Sequence, residues 1–141
     1  MGVIRASEVE NVAYRLLRHA SIELPPDVER AIRQAWERES KPTAKSYFKA
    51  ILDNLEIARR EKVPLCQDTG VPMYYVTMGS KVSVRGRLRQ AFVNATVRAT
   101  RDTPLRQQVT NPLTNENPGT NVGWQMPPRY ITHPHLASEG V

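Results

Sequence analysis

The sequence predicts an α+β fold: an N-terminal bundle of about three helices over residues 1–62, then a small strand and helix portion over 63–141 with a long Asn/Pro/Gly-rich loop. Three observations predict it. The first third carries three successive apolar stripes at helical spacing, each set off by proline or a polar break. At Pro64 the character changes, and a β-rich run, "VPMYYVTM", replaces the helical period. Residues 110–129, "TNPLTNENPGTNVGWQMPPR", then lose all periodicity and are dense in Asn, Pro and Gly. At 141 residues the chain reads as one domain. A chain of this size buries roughly 68–70% of its unfolded surface, enough for a core.

Ser7 followed by Glu10 has the spacing of a capping box, in which each side chain satisfies an orphan backbone N–H at the helix start. Val9, Val12, Ala13, Leu16, Leu17 and Ala20 then form one apolar face. "LPPD" interrupts, and proline at a first helical position opens a second helix because its missing N–H would have had no partner there. Val28, Ala31, Ile32, Ala35 and Trp36 make that helix's stripe. "SKP" breaks the chain again, with Ser40 as the expected cap, and Ala44, Tyr47, Phe48, Ile51, Leu52, Leu55 and Ala58 make a third stripe. Three amphipathic helices in series have to pack on one another or on something else. Val71–Met78 is apolar on both alternating faces, which predicts a buried strand ended by Gly79. Leu88, Ala91, Phe92, Ala95 and Ala99 predict a fourth helix from about Val84 to Arg101. The plainer reading of the Asn/Pro/Gly segment is a linker; it also reads as a functional loop, since loops of about twenty residues in compact domains are often functional and this one holds Trp124 and Met126. "RYITHPHLASEGV" is expected to start a second strand.

Composition narrows the function. No run approaches the roughly 20 apolar residues of a membrane helix, so no membrane partner is expected. "MGVIRASEVE" has no long apolar segment and carries acids early, unlike a signal peptide. One cysteine means no disulfide framework, and the cytoplasm is the expected compartment. Net charge is +6, from 20 basic against 14 acidic side chains. Most of the basic residues are arginine, which suits two-pronged contact with carboxylate or phosphate. Such an excess favours nucleic acid or anionic small molecules, or is simply a solvated surface. The few aromatics fall mostly on core stripes, leaving little for base stacking, which disfavours a basic nucleic-acid-binding module; a partner-docking module without catalysis, built on the first three helices, stays open.

The single cysteine, Cys66, lies in "PLCQDTG", between a helix and a strand. Three readings are open: a buried thiol acting as a small hydrophobe, a nucleophile paired with His19, His133 or His135, or a metal ligand whose co-ligands lie elsewhere. Its neighbours Gln67 and Asp68 make a poor core and a reasonable site for a small polyfunctional ligand. Gly70 gives the turn its backbone freedom. The plainer reading of "QDTG" is a surface turn with Asp68 bonding its own backbone.

"PLCQDTG", preceded by "ILDNLEIARREKV" and followed by "VPMYYVTMG", resembles the N-terminal region of class I fumarate hydratases and of L-tartrate dehydratase alpha subunits. "LRHASIELPPDVERAIRQAWERES" and "TPLRQQVTNPLT" fit the same pattern, so the resemblance spans nearly the whole chain. It implies a hydro-lyase that reversibly hydrates a dicarboxylate (fumarate to malate, or tartrate as the alternative) with an oxygen-sensitive [4Fe-4S] cluster held by three cysteines. By this resemblance Cys66 is one cluster ligand, Gln67 and Asp68 contact the substrate, Arg106 clamps a carboxylate and Gly119 lends a backbone N–H. The family pattern near Gly119 is closer to N-T-G-D-N. Here Asn117, Pro118, Gly119, Thr120 and Asn121 stand instead, so the acidic position is Thr120 and Pro118 removes a donor. The resemblance also implies that the other two cysteines and the catalytic base belong to the remaining alpha region and a beta subunit or domain. No catalytic residue is then expected in this chain, which alone is expected to be inactive. It would be a truncated piece or one part of a split enzyme, and a homo- or hetero-oligomer when complete.

Overall fold

The computed structural model describes residues 2–133. Eight elements follow in order: β1 (Gly2–Arg5), α1 (Ala6–Ile22), α2 (Pro26–Arg38), α3 (Pro42–Glu61), β2 (Tyr74–Thr77), β3 (Val82–Arg85), α4 (Leu88–Asp102) and β4 (Arg129–Thr132). The strands form two separate parallel pairs, β1 with β3 and β2 with β4. The α+β class therefore holds, with the three N-terminal helices in the expected order. Among the described residues no helix is long and apolar enough to cross a membrane.

The expected capping box is displaced. β1 runs straight into α1, so extended Arg5, not Ser7, caps the helix, and Glu8 Oε2 accepts the Arg5 backbone N–H at 2.8 Å. Pro26 opens α2 as expected. α3 opens on Pro42, with Lys41 rather than Ser40 at the cap position. Residues 82–85, expected as helix or loop, pair with β1, which delays α4 to Leu88. Gly86 makes the turn between them at φ 110°, and a Cβ there would meet Ala6 Cβ at 3.0 Å.

The main apolar cluster lies between α1, α4 and β2. It contains Ala13, Tyr14, Tyr74, Phe92, Ala95, Ala99 and Leu105. Alanines at 91, 95 and 99 let α1 approach α4 closely, and α4 rather than α2 is the main partner of α1. Tyr74 packs on Phe92 with ring centroids 4.5 Å apart. Its hydroxyl meets Thr96 Oγ1 at 3.0 Å, and Thr96 in turn donates to the Phe92 carbonyl. β2 is shorter than the predicted strand and is covered on one face only: Tyr74 is 8% exposed and Tyr75 76%. The reason is that a two-stranded sheet resting on one helix leaves its outer face open, where Tyr75 stacks on Tyr130 of β4.

The stripe of α2 is not buried; none of its residues is. Ile32, Ala35 and Trp36 of that stripe are half-buried, and the ion pairs Arg59–Glu29 and Arg33–Glu56 add to the contact between α2 and α3. Arg59 of α3 bonds Glu29 and Glu23 at 2.6 Å each, and Arg33 of α2 bonds Glu29 at 2.6 Å. Leu52, Leu55 and Ala58 of α3 are buried, whereas Tyr47 and Ile51 on the same helix remain exposed.

Candidate functional site

α3 ends on Lys62, which is left-handed at φ 58°, and the chain doubles back into the Cys66 loop. Two helices grip that loop through one residue. The Leu65 N–H donates to the Ser21 carbonyl of α1 at 2.9 Å, and Asn54 Nδ2 of α3 donates to the Leu65 carbonyl at 2.6 Å. Cys66 comes next and is exposed, with its thiol donating to the Asp68 carbonyl at 3.1 Å. The buried-hydrophobe reading of the thiol is thereby corrected: α1 and α3 fix the residue before it and leave the sulfur outside. His19 and His133 do not line either cleft that the thiol borders, and His135 lies outside the described residues.

Those two clefts meet at the Cys66 loop and share Asn54, Leu65, Cys66 and Thr69. One, of about 640 Å³, is completed by Pro64, Gln67, Pro104 and Arg106. The other, of about 680 Å³, lies between α1 and α3, takes in Asp68, and is largely walled by aliphatic and aromatic groups including Leu24, Tyr47 and Ile51. Thr69 Oγ1 is buried at their junction without a hydrogen-bond partner among the described residues. A polar oxygen buried in that state favours an incoming donor or acceptor.

Asp68 does not bond its own backbone through its side chain; Gln108 Nε2 donates to its Oδ1. Gln108 sits two residues after Arg106, on a segment tied down by Asn121. Asn121 is fully buried, accepts the Gln108 N–H at 2.7 Å, and donates to the Arg106 carbonyl at 2.9 Å and Thr100 Oγ1 at 3.2 Å. It is left-handed at φ 57°, a conformation asparagine tolerates better than most side chains. Gly119 lies against the Gln107 side chain, and its N–H donates to Asn117 Oδ1 at 2.8 Å. Cys66, Gln67 and Arg106 thus share one cleft, Asp68 borders the adjoining one, and Gly119 lies beside neither.

The described family of fumarate hydratase (Fumerase) matches residues 10–135, most of the chain. The chain belongs to the fumarate hydratase family. Within that family it is 38% identical over 122 residues to "Putative L(+)-tartrate dehydratase subunit alpha" of Methanocaldococcus jannaschii, an alignment that covers 85% of this chain and 43% of that protein. It is 34% identical over 115 residues to "Putative fumarate hydratase class I" of Geobacillus stearothermophilus, covering 81% of this chain and 22% of that protein. To the L(+)-tartrate dehydratase subunit alpha of Escherichia coli K12 it is 31% identical over 107 residues, covering 76% and 35%. This fumarate hydratase family chain therefore spans less than half the length of each of these curated relatives.

Sequence reading missed Gln108, Asn121, Asn54 and Thr69. For Gln108 a signal existed, since it closes the "PLRQQ" run that drew attention to Arg106. Asn121 looked like one more polar residue in a polar loop. Its importance comes from partners 13 to 21 positions away, which no local pattern reveals.

Proposed function

We propose that this chain supplies the N-terminal part of an iron-sulfur-dependent hydro-lyase that interconverts fumarate and malate. The observation that carries the reading is the shared cleft: an exposed thiol, a side-chain amide and a guanidinium line one space, with a carboxylate held alongside. An aliphatic core or a nucleic-acid surface has no need of that combination.

The donor set fits a [4Fe-4S] cluster in part. Cys66 offers the soft thiolate that such clusters require. Among the described residues no group of three His, Cys, Asp or Glu side chains could hold a metal ion, so Cys66 would be one ligand and the others would come from further polypeptide. When bound, the cluster would supply a Lewis acid for the departing hydroxyl and the adjacent carboxylate.

This chain's own residues would bind and orient. Arg106 presents a planar fork that pairs with the far carboxylate through two parallel charge-assisted bonds. Gln67 donates an amide N–H to a carboxylate oxygen while its own oxygen accepts elsewhere. Asp68, oriented by Gln108, accepts from the substrate hydroxyl or holds a proton beside it. Gly119 would contribute a backbone N–H only if Asn117 released it. The base, the remaining cluster ligands and the second half of the site would belong to the rest of an alpha region and to a beta subunit or domain, so this chain alone would be inactive. The cytoplasm suits an oxygen-sensitive cluster.

Tartrate is the second reading, favoured by the 38% identity to the Methanocaldococcus protein. Nucleic-acid binding has less support, because Arg5, Arg33, Lys49, Arg59, Arg60, Arg98 and Arg101 are each paired with a carboxylate. The deciding experiment co-expresses the chain with the polypeptide that completes its relatives, reconstitutes iron and sulfide without oxygen, and assays fumarate hydration and tartrate dehydration. Turnover of fumarate supports the first reading and turnover of tartrate alone the second. A cluster visible by absorbance with neither activity rejects both.

A further inference from the structure

We propose that Asn121 is a positioning residue for the Cys66 cleft, acting through the segment that carries Arg106 and Gln108. The inference rests on reading that cleft as a dicarboxylate site. Asn121 uses its whole side-chain amide on this segment and on α4. Its oxygen takes the Gln108 N–H at 2.7 Å, and its nitrogen reaches the Arg106 carbonyl at 2.9 Å and Thr100 Oγ1 at 3.2 Å. The side chain is fully buried, so water offers these groups no substitute. Thr100 anchors the arrangement to α4 and donates back to the Thr120 carbonyl at 3.3 Å.

Both backbone contacts fall on residues whose side chains matter at the cleft. Arg106 lines it, and Gln108 donates to Asp68. One buried amide therefore fixes a short segment that belongs to no helix or strand, one that presents a guanidinium to the cleft and, through Gln108, holds the Asp68 carboxylate. Removing the amide leaves both side chains chemically intact and lets their backbone drift. The expected signature is loss of substrate affinity, with the reacting groups unchanged.

The test uses Asn121→Ala in the full chain and in the assembled, cluster-loaded enzyme. In the full chain, amide exchange at Gln108 should speed up about fivefold, as expected for losing one hydrogen bond, while the Phe92–Ala99 amides of α4 keep their protection. In the enzyme, KM for fumarate should rise about tenfold with kcat within about twofold, because a bond to a charged group is loosened without altering the chemistry. Unchanged exchange at Gln108, or unchanged KM despite faster exchange, overturns the proposal. Should Asn121→Ala fail to fold, Gln108→Met decides at a partly exposed position: it should raise KM about tenfold through Asp68, and wild-type KM overturns the proposal. If the wild-type assembly turns over neither fumarate nor tartrate, the reading of the cleft fails first and takes this inference with it. A wild-type enzyme that turns over and variants that match it reject the inference alone.

Discussion

Arg106 is exposed at the rim of a cleft whose other polar groups belong to the Cys66 loop and, through Asn54, to α3. Each bond from a guanidinium to a carboxylate contributes about 1.5–3 kcal/mol net, so a two-bond clamp decides orientation even if the bonds do not add. In the assembled enzyme, Arg106→Ala should raise KM at least about tenfold and leave iron content at the wild-type level. Equal KM, measured by initial rates alongside iron analysis, rejects the clamp. Arg106→Lys should recover little, because a point charge cannot supply the parallel pair. Cys66→Ser tests the other partner: bound iron per assembled enzyme should fall while the melting temperature of the chain stays constant, since the residue is exposed and a serine hydroxyl can keep the bond to the Asp68 carbonyl. At this scale the sequence was legible where chemistry is local. "PLCQDTG" and "PLRQQ" mark themselves by unusual residue neighbours. Asn121 and Asn54 did not, because each matters through a contact made only after folding, and Thr69 did not, because its burial without a partner is likewise set only by the fold.

The elements were legible in proportion to their length. α1, α2, α3 and α4 announce themselves through several turns of apolar period, and their ends were displaced by only a few residues. β1 and β3 were not legible, because four residues hold too little periodicity and each makes sense only beside the other, 80 positions away. The α2–α3 contact yields a pH expectation. Two arginines hold Glu29 well below the usual carboxylate range, at about 2 instead of 4.5. The folded form prefers the charged carboxylate, so this contribution is complete above pH 4.5 and fades as pH falls toward about 2. α2 should therefore loosen from α3 in that window, read by Trp36 fluorescence in a Trp124→Phe background, where Lys45 of α3 lies over the Trp36 ring. In Glu29→Gln the transition should shrink; an identical transition rejects Glu29 as its source. The β2–α4 contact gives a second test. Thr96→Val strands the buried Tyr74 hydroxyl and should cost about 1–3 kcal/mol in denaturant unfolding. Adding Tyr74→Phe should restore part of that loss, because two matched apolar groups leave no orphan. A further loss on the second change would reject the pairing.

For the whole molecule, the informative quantity is what stays uncovered. Tyr47, Tyr75, Leu113 and Trp124 are 68–93% exposed, and they lie on α3, β2 and the long loop. Leu113 and Trp124 border one cleft with Val122 and Met126, and Tyr75 stacks on exposed Tyr130; contiguous apolar patches of this kind mark surfaces meant to be covered. The chain spans less than half the length of its curated relatives, and the completing polypeptide proposed above would cover these patches. Purified alone, the chain should bind an apolar dye and self-associate as concentration rises; co-purified with the completing polypeptide it should do neither. Dye binding that persists in the complex would mean that these surfaces serve something else. Fold class was legible from the sum of the stripes. The division of labour among helices was not, since the stripe on α2 does not say that it will be only half-buried and supplemented by ion pairs to α3.

Both strand pairings join residues far apart in the chain: Gly2 faces Val82, and Tyr74 faces Arg129. A ribosome makes Tyr74 long before Arg129, so during synthesis the strand just beyond the thiol loop waits without its neighbour until fifty-odd further residues have emerged. Through that interval Cys66 sits on a nascent segment anchored on one side only. Under the proposed reading of Cys66 as a cluster ligand, iron delivered during synthesis would meet a loop whose neighbouring strand still lacks its pair.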